Sequence, residues 1–133
     1  MVEQSLSGHG PWAEYQARLN AGQFCIQQGG DGQFFFYPRA IAPGSGSNDW
    51  QWVAASGAAS IYSLSRIPQR PERGGDYYVA IVELKEGPRM MTQLRLQSDE
   101  LPKIGDTVEA FVEQQEGADA LLLFKHGLQE GAR

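Results

Sequence analysis

The chain holds a single cysteine, Cys25, and only two histidines, His9 and His126, in 133 residues. One cysteine cannot close an internal disulfide, which points to a reducing compartment. It also cannot build a thiolate metal site, which needs close pairs of sulfurs. Long apolar runs are missing too: nothing approaches the ~20 residues of a membrane-spanning helix. Residues 1–10 have neither a basic start nor an apolar middle, so no signal peptide is expected and a cytoplasmic location is. Basic charge is scarce, with 11 Lys and Arg against 16 Asp and Glu, a net charge of −5. Between Asp99 and Asp119 seven acidic residues face Lys103 alone. Proteins that grip phosphate backbones without sequence preference tend to be basic, so tight non-specific nucleic-acid binding is disfavoured.

Catalytic signatures are equally thin. There is no G-x-S-x-G, P-loop, H-E-x-x-H or dinucleotide glycine fingerprint. His9 and His126 lie near opposite ends, where a lone histidine reads as exposed and incidental. Cys25 sits between Phe24 and Ile26 and reads as a packed, inert thiol. The chain reads as a protein that binds rather than an enzyme.

What is present is a β pattern behind one helix. Pro11 to Gly22 has a first-turn proline, a terminal glycine and a Trp12, Tyr15, Leu19 stripe at helical spacing. Short strands follow at 24–28 and 33–37 around the Gly29–Gly32 turn, and Trp50, Trp52 and Val53 alternate with polar neighbours. Five further runs, 58–67, 77–86, 89–97, 107–115 and 120–125, are divided by turn signals with no helix between them. They fit a five-stranded barrel, with 98–103 as an irregular crossover.

Several segments resemble one known family. They are Phe35-Phe36-Tyr37-Pro38-Arg39, Asn48-Asp49-Trp50-Gln51-Trp52-Val53, Ser56-Gly57 before Ile61-Tyr62-Ser63, and Val79 to Leu84. Glu86 to Thr92 and the Ile104-Gly105-Asp106 turn complete the set. In this order they resemble the DUF35 family, in which a rubredoxin-like zinc ribbon precedes an acyl-CoA-associated OB fold. The resemblance implies a mainly β chain: an N-terminal helical segment (1–22), a zinc-ribbon-like hairpin (23–53) and an OB-fold domain (54–128). It departs from the family at the metal. The four positions of the two C-x-x-C knuckles hold Gly29, Gly32, Ala42 and Ser45, none a useful zinc ligand. The ribbon is degenerate, no zinc is expected, and burial of Phe34, Phe35, Phe36, Tyr37, Trp50 and Trp52 must stabilise it instead.

The resemblance also implies a role as a non-catalytic accessory subunit of a thiolase-like, acyl-CoA-processing enzyme in lipid metabolism. Trp12, Tyr15 and Phe35 are the candidate docking anchors, since large aromatics concentrate interface energy. Arg66 and Arg70, in the Pro-rich loop before 77, and Arg89 after Gly87-Pro88 are the candidate contacts to a coenzyme A or acyl-CoA phosphate. OB folds also bind single-stranded nucleic acid, which is the alternative reading, but that rests on fold analogy alone.

Overall fold

The computed structural model describes residues 10–40 and 49–127. One helix, α1 (Pro11–Asn20), precedes eight strands: β1 (Cys25–Gly29), β2 (Phe34–Phe35), β3 (Trp50–Ala54), β4 (Ala58–Ile67), β5 (Tyr77–Leu84), β6 (Arg89–Leu96), β7 (Thr107–Gln115) and β8 (Ala118–His126). Mainly β behind one helix is therefore the architecture. The chain divides into two compact units, Met1–Ala55 with Val112–Leu121, and Ser56–Phe111 with Leu122–Arg133.

In the first unit, β2, β1 and β3 form a three-stranded antiparallel sheet in that order. The alternation of Trp50, Trp52 and Ala54 places them opposite Gly29, Gln27 and Cys25 on one face. Helix α1 buries Tyr15 and Leu19, the 4-residue pair its stripe predicts. Its last turn bonds to residues 119–120: Gln16 Nε2 donates to the Ala120 carbonyl at 2.9 Å, and the Ala120 N–H to Asn20 Oδ1 at 2.8 Å. The helix ends at Asn20, and the Gln23 N–H returns to the Arg18 carbonyl around Gly22 at φ +86°.

Five strands close a barrel in the order β4-β5-β6-β8-β7. Alternation along β5 sends Ala80, Val82 and Leu84 inward, joined by Ile61, Met90, Leu94, Val108, Leu123 and Phe124. A bulge at Tyr62 shifts the β4–β5 register between Ile61 and Ser63. Parallel pairing of β6 with β8, Leu94 with Phe124 and Leu96 with His126, completes the ring. Strands β4, β7 and most of β5 and β6 lie where alternation puts them. β5 stops two residues short of its expected end, because the Gly87 N–H turns back to the Leu84 carbonyl. β2 shrinks to two residues, and β8 extends at both ends.

That extension corrects the reading of His126. It is 3% exposed, not a loosely held terminal residue, because one more residue of strand turns it inward. His9 lies outside the described residues.

Candidate functional site

Two places gather the polar and aromatic groups that the sequence singles out. The first is the small sheet. Gly29 and Gly32, two of the lost ligand positions, hold a tight turn in which the Gly32 N–H donates to the Gly29 carbonyl at 2.9 Å. At Gly30 a Cβ would meet Asp49 Oδ2 at 2.6 Å, so any larger residue there requires the Asp49 carboxylate to move. Ala42 and Ser45 lie outside the described residues. Among the described residues no three His, Cys, Asp or Glu side chains converge on a common point. With glycine at two positions and no such cluster to replace the lost sulfurs, this donor set does not fit a tetrahedral thiolate zinc ion.

Gln27 ties the same region together. Its side chain is fully buried; Nε2 donates to the Arg39 carbonyl at 2.6 Å, and the Arg39 N–H donates back to Oε1 at 2.9 Å. Both ends of a buried amide are thus satisfied, the condition for a polar group in a core. Around it runs a set of ring contacts. Trp12 meets Tyr15 edge-on at 5.7 Å, Tyr15 meets Phe36 at 5.4 Å, and Trp50 meets Trp52 at 5.6 Å. Trp52 Nε1 donates to Glu14 at 2.8 Å while Arg18 lies over its ring. Cys25 is buried, as a packed thiol is.

The three expected docking anchors part company here. Tyr15 and Phe35 are 5% and 6% exposed, so their rings are occupied inside the unit. Burial, with the Tyr37 hydroxyl adding to it, pushes the Tyr15 phenol well above its ordinary pKa. Trp12 stays 54% exposed, and its ring lies 6.2 Å from that of Tyr37, itself 42% exposed. Tyr37, a packing aromatic by its place in the sequence, shares the surface that Trp12 presents.

The second place is the barrel's arginine-bearing edge. Arg66 pairs with Asp76 at 2.8 Å, and hydrogen bonds from Gln69 and Arg66 hold the Asp76 carboxyl below the usual carboxylate range. Arg70 faces Glu72 at 3.9 Å. Arg89 contacts Glu83 at 3.3 Å and stacks on Tyr62 at 3.7 Å. Arg66 lies opposite Tyr78 and Arg89 opposite Glu83, five residues apart along β5, or roughly 17 Å. The structure does not bring the three together. It gathers two others instead: Arg73 and Arg95 line one cleft of about 680 Å³ with Tyr77, Tyr78, Gln69 and Gln93. Sequence spacing could not pair Arg73 with Arg95, because a loop and a strand 22 positions apart meet only through the sheet.

At the barrel end, His126 Nε2 lies 2.8 Å from Asp106 Oδ2, which also accepts the Lys103 N–H at 3.0 Å. The hydrogen bond from His126 leads the causes that lower the Asp106 carboxyl below its ordinary pKa. His126 Nδ1 is buried with no hydrogen-bond partner, so among the described residues no hydroxyl or thiol is joined to this pair as a nucleophile. No helix among the described residues is long and apolar enough to cross a membrane.

This architecture, a small three-stranded sheet followed by a closed five-stranded OB barrel, is matched among known proteins. Residues 52–113 match the family model described as the ChsH2 C-terminal OB-fold domain. The fold resembles the solved structure named "Ltp2-ChsH2(DUF35) aldolase" at 26% identity, covering 87% of this chain and 94% of that one, with a TM-score of 0.74. A DUF35-family protein of unknown function from Sulfolobus solfataricus shares the fold at 13% identity, covering 92% of each chain, TM-score 0.60. The chain belongs to the DUF35 family. Among curated proteins it is 41% identical over 59 residues to a probable enoyl-CoA hydratase alpha subunit of Thermomonospora curvata. That match takes in 43% of this chain and only 18% of the relative's length.

Proposed function

We propose that the chain is a non-catalytic accessory subunit of an acyl-CoA-processing enzyme, with a thiolase-like protein as its partner. One observation carries the reading: a fold shared over nearly the whole length of both chains with the component named for the Ltp2–ChsH2(DUF35) aldolase. The name of the curated relative, a hydratase subunit acting on enoyl-CoA, supports the same substrate class.

The exposed Trp12 and Tyr37 rings are the docking anchors of this reading, in place of Tyr15 and Phe35. Two large rings 6.2 Å apart can seat together in one partner pocket. Arg66 and Arg89 would exchange an exposed carboxylate contact for a coenzyme phosphate, and Arg70 only a distant one at 3.9 Å. Binding of single-stranded nucleic acid stays the weaker reading, because few phosphates could be neutralised by a chain of net charge −5.

The test is co-purification of the tagged full chain from its native cells, followed by acyl-CoA assays with and without it. A thiolase-like protein should co-purify, and its activity should depend on this subunit. Trp12→Ala should weaken the complex by about 1–4 kcal/mol with the fold intact. Recovery of no acyl-CoA-processing protein, or activity indifferent to the subunit, ends the proposal.

A further inference from the structure

We infer that the connection between β6 and β7, residues 97–106, is a preformed docking loop for an apolar pocket rimmed by lysine or arginine on a protein partner. Its exposed aliphatic side chains are the first argument. Leu101 is 60% exposed and Ile104 67%, with Leu96 at 37% where β6 ends. Pro102, between Leu101 and Ile104, is buried. The loop therefore turns its smaller ring inward and both larger chains outward, the reverse of what burial alone favours. A single exposed leucine is ordinary, but several aliphatics gathered in one connection mark a contact surface.

Rigidity is the second argument. Both ends of the loop are fastened to the buried His126. The Gln97 N–H donates to its carbonyl at 2.8 Å, and Asp106 Oδ2 lies 2.8 Å from its Nε2. The same Asp106 oxygen accepts the Lys103 N–H at 3.0 Å, while the Asp106 N–H donates to the Lys103 carbonyl at 3.0 Å. Ile104 and Gly105 thus occupy a turn clasped on both sides. The Gly105 N–H donates to the Ile61 carbonyl and the Ile61 N–H to the Asp106 carbonyl, which ties that turn to β4. A side chain shown on such a turn is already placed, so a partner that seats it has little ordering left to impose. The His126–Asp106 pair has a task here, to hold this display in place.

Charge identifies the occupant. Within the loop Asp99, Glu100 and Asp106 face one cation, Lys103, which lies 4.0 Å from Glu100 and 3.4 Å from Asp106. The rim around Leu101 and Ile104 is therefore acidic. A second copy of this chain would bring the same rim, and a nucleic acid or an anionic membrane would bring phosphates; like charge opposes each. An apolar socket with a cationic rim on a protein matches both the side chains and their surroundings. The inference rests on the accessory-subunit reading in one respect only, the identity of the partner, which there is the acyl-CoA-processing enzyme. It uses neither Trp12 nor Tyr37.

The test replaces Ile104, and in a separate tagged full chain Trp12, by a photo-crosslinking residue in the native cells. The protein captured from position 104 is then purified and titrated against wild-type and variant chains. Ile104→Asp and Leu101→Ser should each weaken binding about tenfold or more, while Met91→Ser, exposed elsewhere on the barrel, should change little. Reversing Asp99 and Glu100 together to lysine should weaken binding strongly at about 0.05 M salt and much less at about 0.3 M. Because Leu101 and Ile104 are exposed, their variants should melt as the wild type does, so a loss of binding is not a loss of fold. No capture from position 104, an Ile104→Asp variant that binds normally, or a charge reversal without effect at low salt would each overturn the proposal. So would a free chain that sediments as a dimer and is made monomeric by Ile104→Asp, since the loop would then belong to a second copy. The two readings fail separately. An acyl-CoA-processing protein captured from position 12 and not from 104 sinks this inference alone. A protein captured from 104 that shows the expected dependences but acts on no acyl-CoA sinks the accessory role alone.

Discussion

The small sheet is held by rings and one clasped amide, whereas the barrel is held by a mostly aliphatic core around Phe124 inside a hydrogen-bonded ladder. In the sheet unit, β2 contributes two residues, and order comes from the Trp12–Tyr15–Phe36 contacts and the two bonds between Gln27 and Arg39. In the barrel, strands of eight to ten residues leave Ile61, Val82, Leu84 and Phe124 almost wholly excluded from water. A three-stranded sheet with so short an edge strand has little ladder to rely on, so bulky buried surface and buried polar pairing carry more of its stability. The difference teaches that a small sheet can be cross-tied by rings and one buried amide where a barrel relies on its strand ladder.

The largest expected effect is in the barrel. Phe124→Ala should cost about 3–5 kcal/mol, read as a lower midpoint in urea unfolding, because the ring is fully buried and its cavity cannot collapse within a closed sheet. Gln27→Ala probes the other side of the comparison. Loss of both Arg39 bonds should cost about 2–3 kcal/mol and alter the near-ultraviolet signal of Trp50 and Trp52. A Gln27→Ala variant as stable as the wild type would show that the rings suffice alone.

A smaller effect follows from acid. Asp106 has a lowered pKa in the folded barrel, so its contribution is fully present above the unfolded carboxylate pKa of about 4 and is lost as pH falls through the lower folded value. Asp106→Asn should therefore reduce the difference in melting temperature between pH 7 and pH 3. An unchanged difference would assign the acid sensitivity elsewhere. The smallest expected signal is metal: elemental analysis of the purified protein should find no stoichiometric zinc. Changing Gly29, Gly32, Ala42 and Ser45 together to cysteine should create a thiolate site, visible with cobalt, if the ribbon geometry persists. About one zinc per wild-type chain would contradict the lost-ligand argument.

Much of the barrel is legible because its strands alternate: Ala58–Ile67 and Thr107–Gln115 fall on the residues that pattern marks. The helix is legible for the same reason at another period, through Tyr15 and Leu19. What stays hidden depends on partners distant in sequence. Gln27 looks like a solvent residue until Arg39 turns its backbone towards it. His126 looks terminal until β8 pairs with β6. The surroundings of the arginine candidates are hidden for the same reason: Asp76, Glu72 and Glu83 each meet one of them in the fold, and nothing in the spacing says so. Trp12 is recoverable from its stripe, while its neighbour Tyr37 is not, since no periodicity links a helix start to a residue beyond a strand end.

Strand β4 finds Thr107 to Glu109 as partners for Ser60 to Ala58, and α1 finds Ala120 for Gln16 and Asn20. Both sets of partners are supplied by the hairpin of β7 and β8, late in the sequence. A polypeptide emerging from the ribosome amino end first therefore holds the first barrel strand unfinished for about fifty residues and α1 for about a hundred. Contacts so far apart in sequence form slowly, after a long loop has been closed. Completion of both units waits on the same late segment, so a chain truncated before residue 107 would lack the closing pieces of each at once.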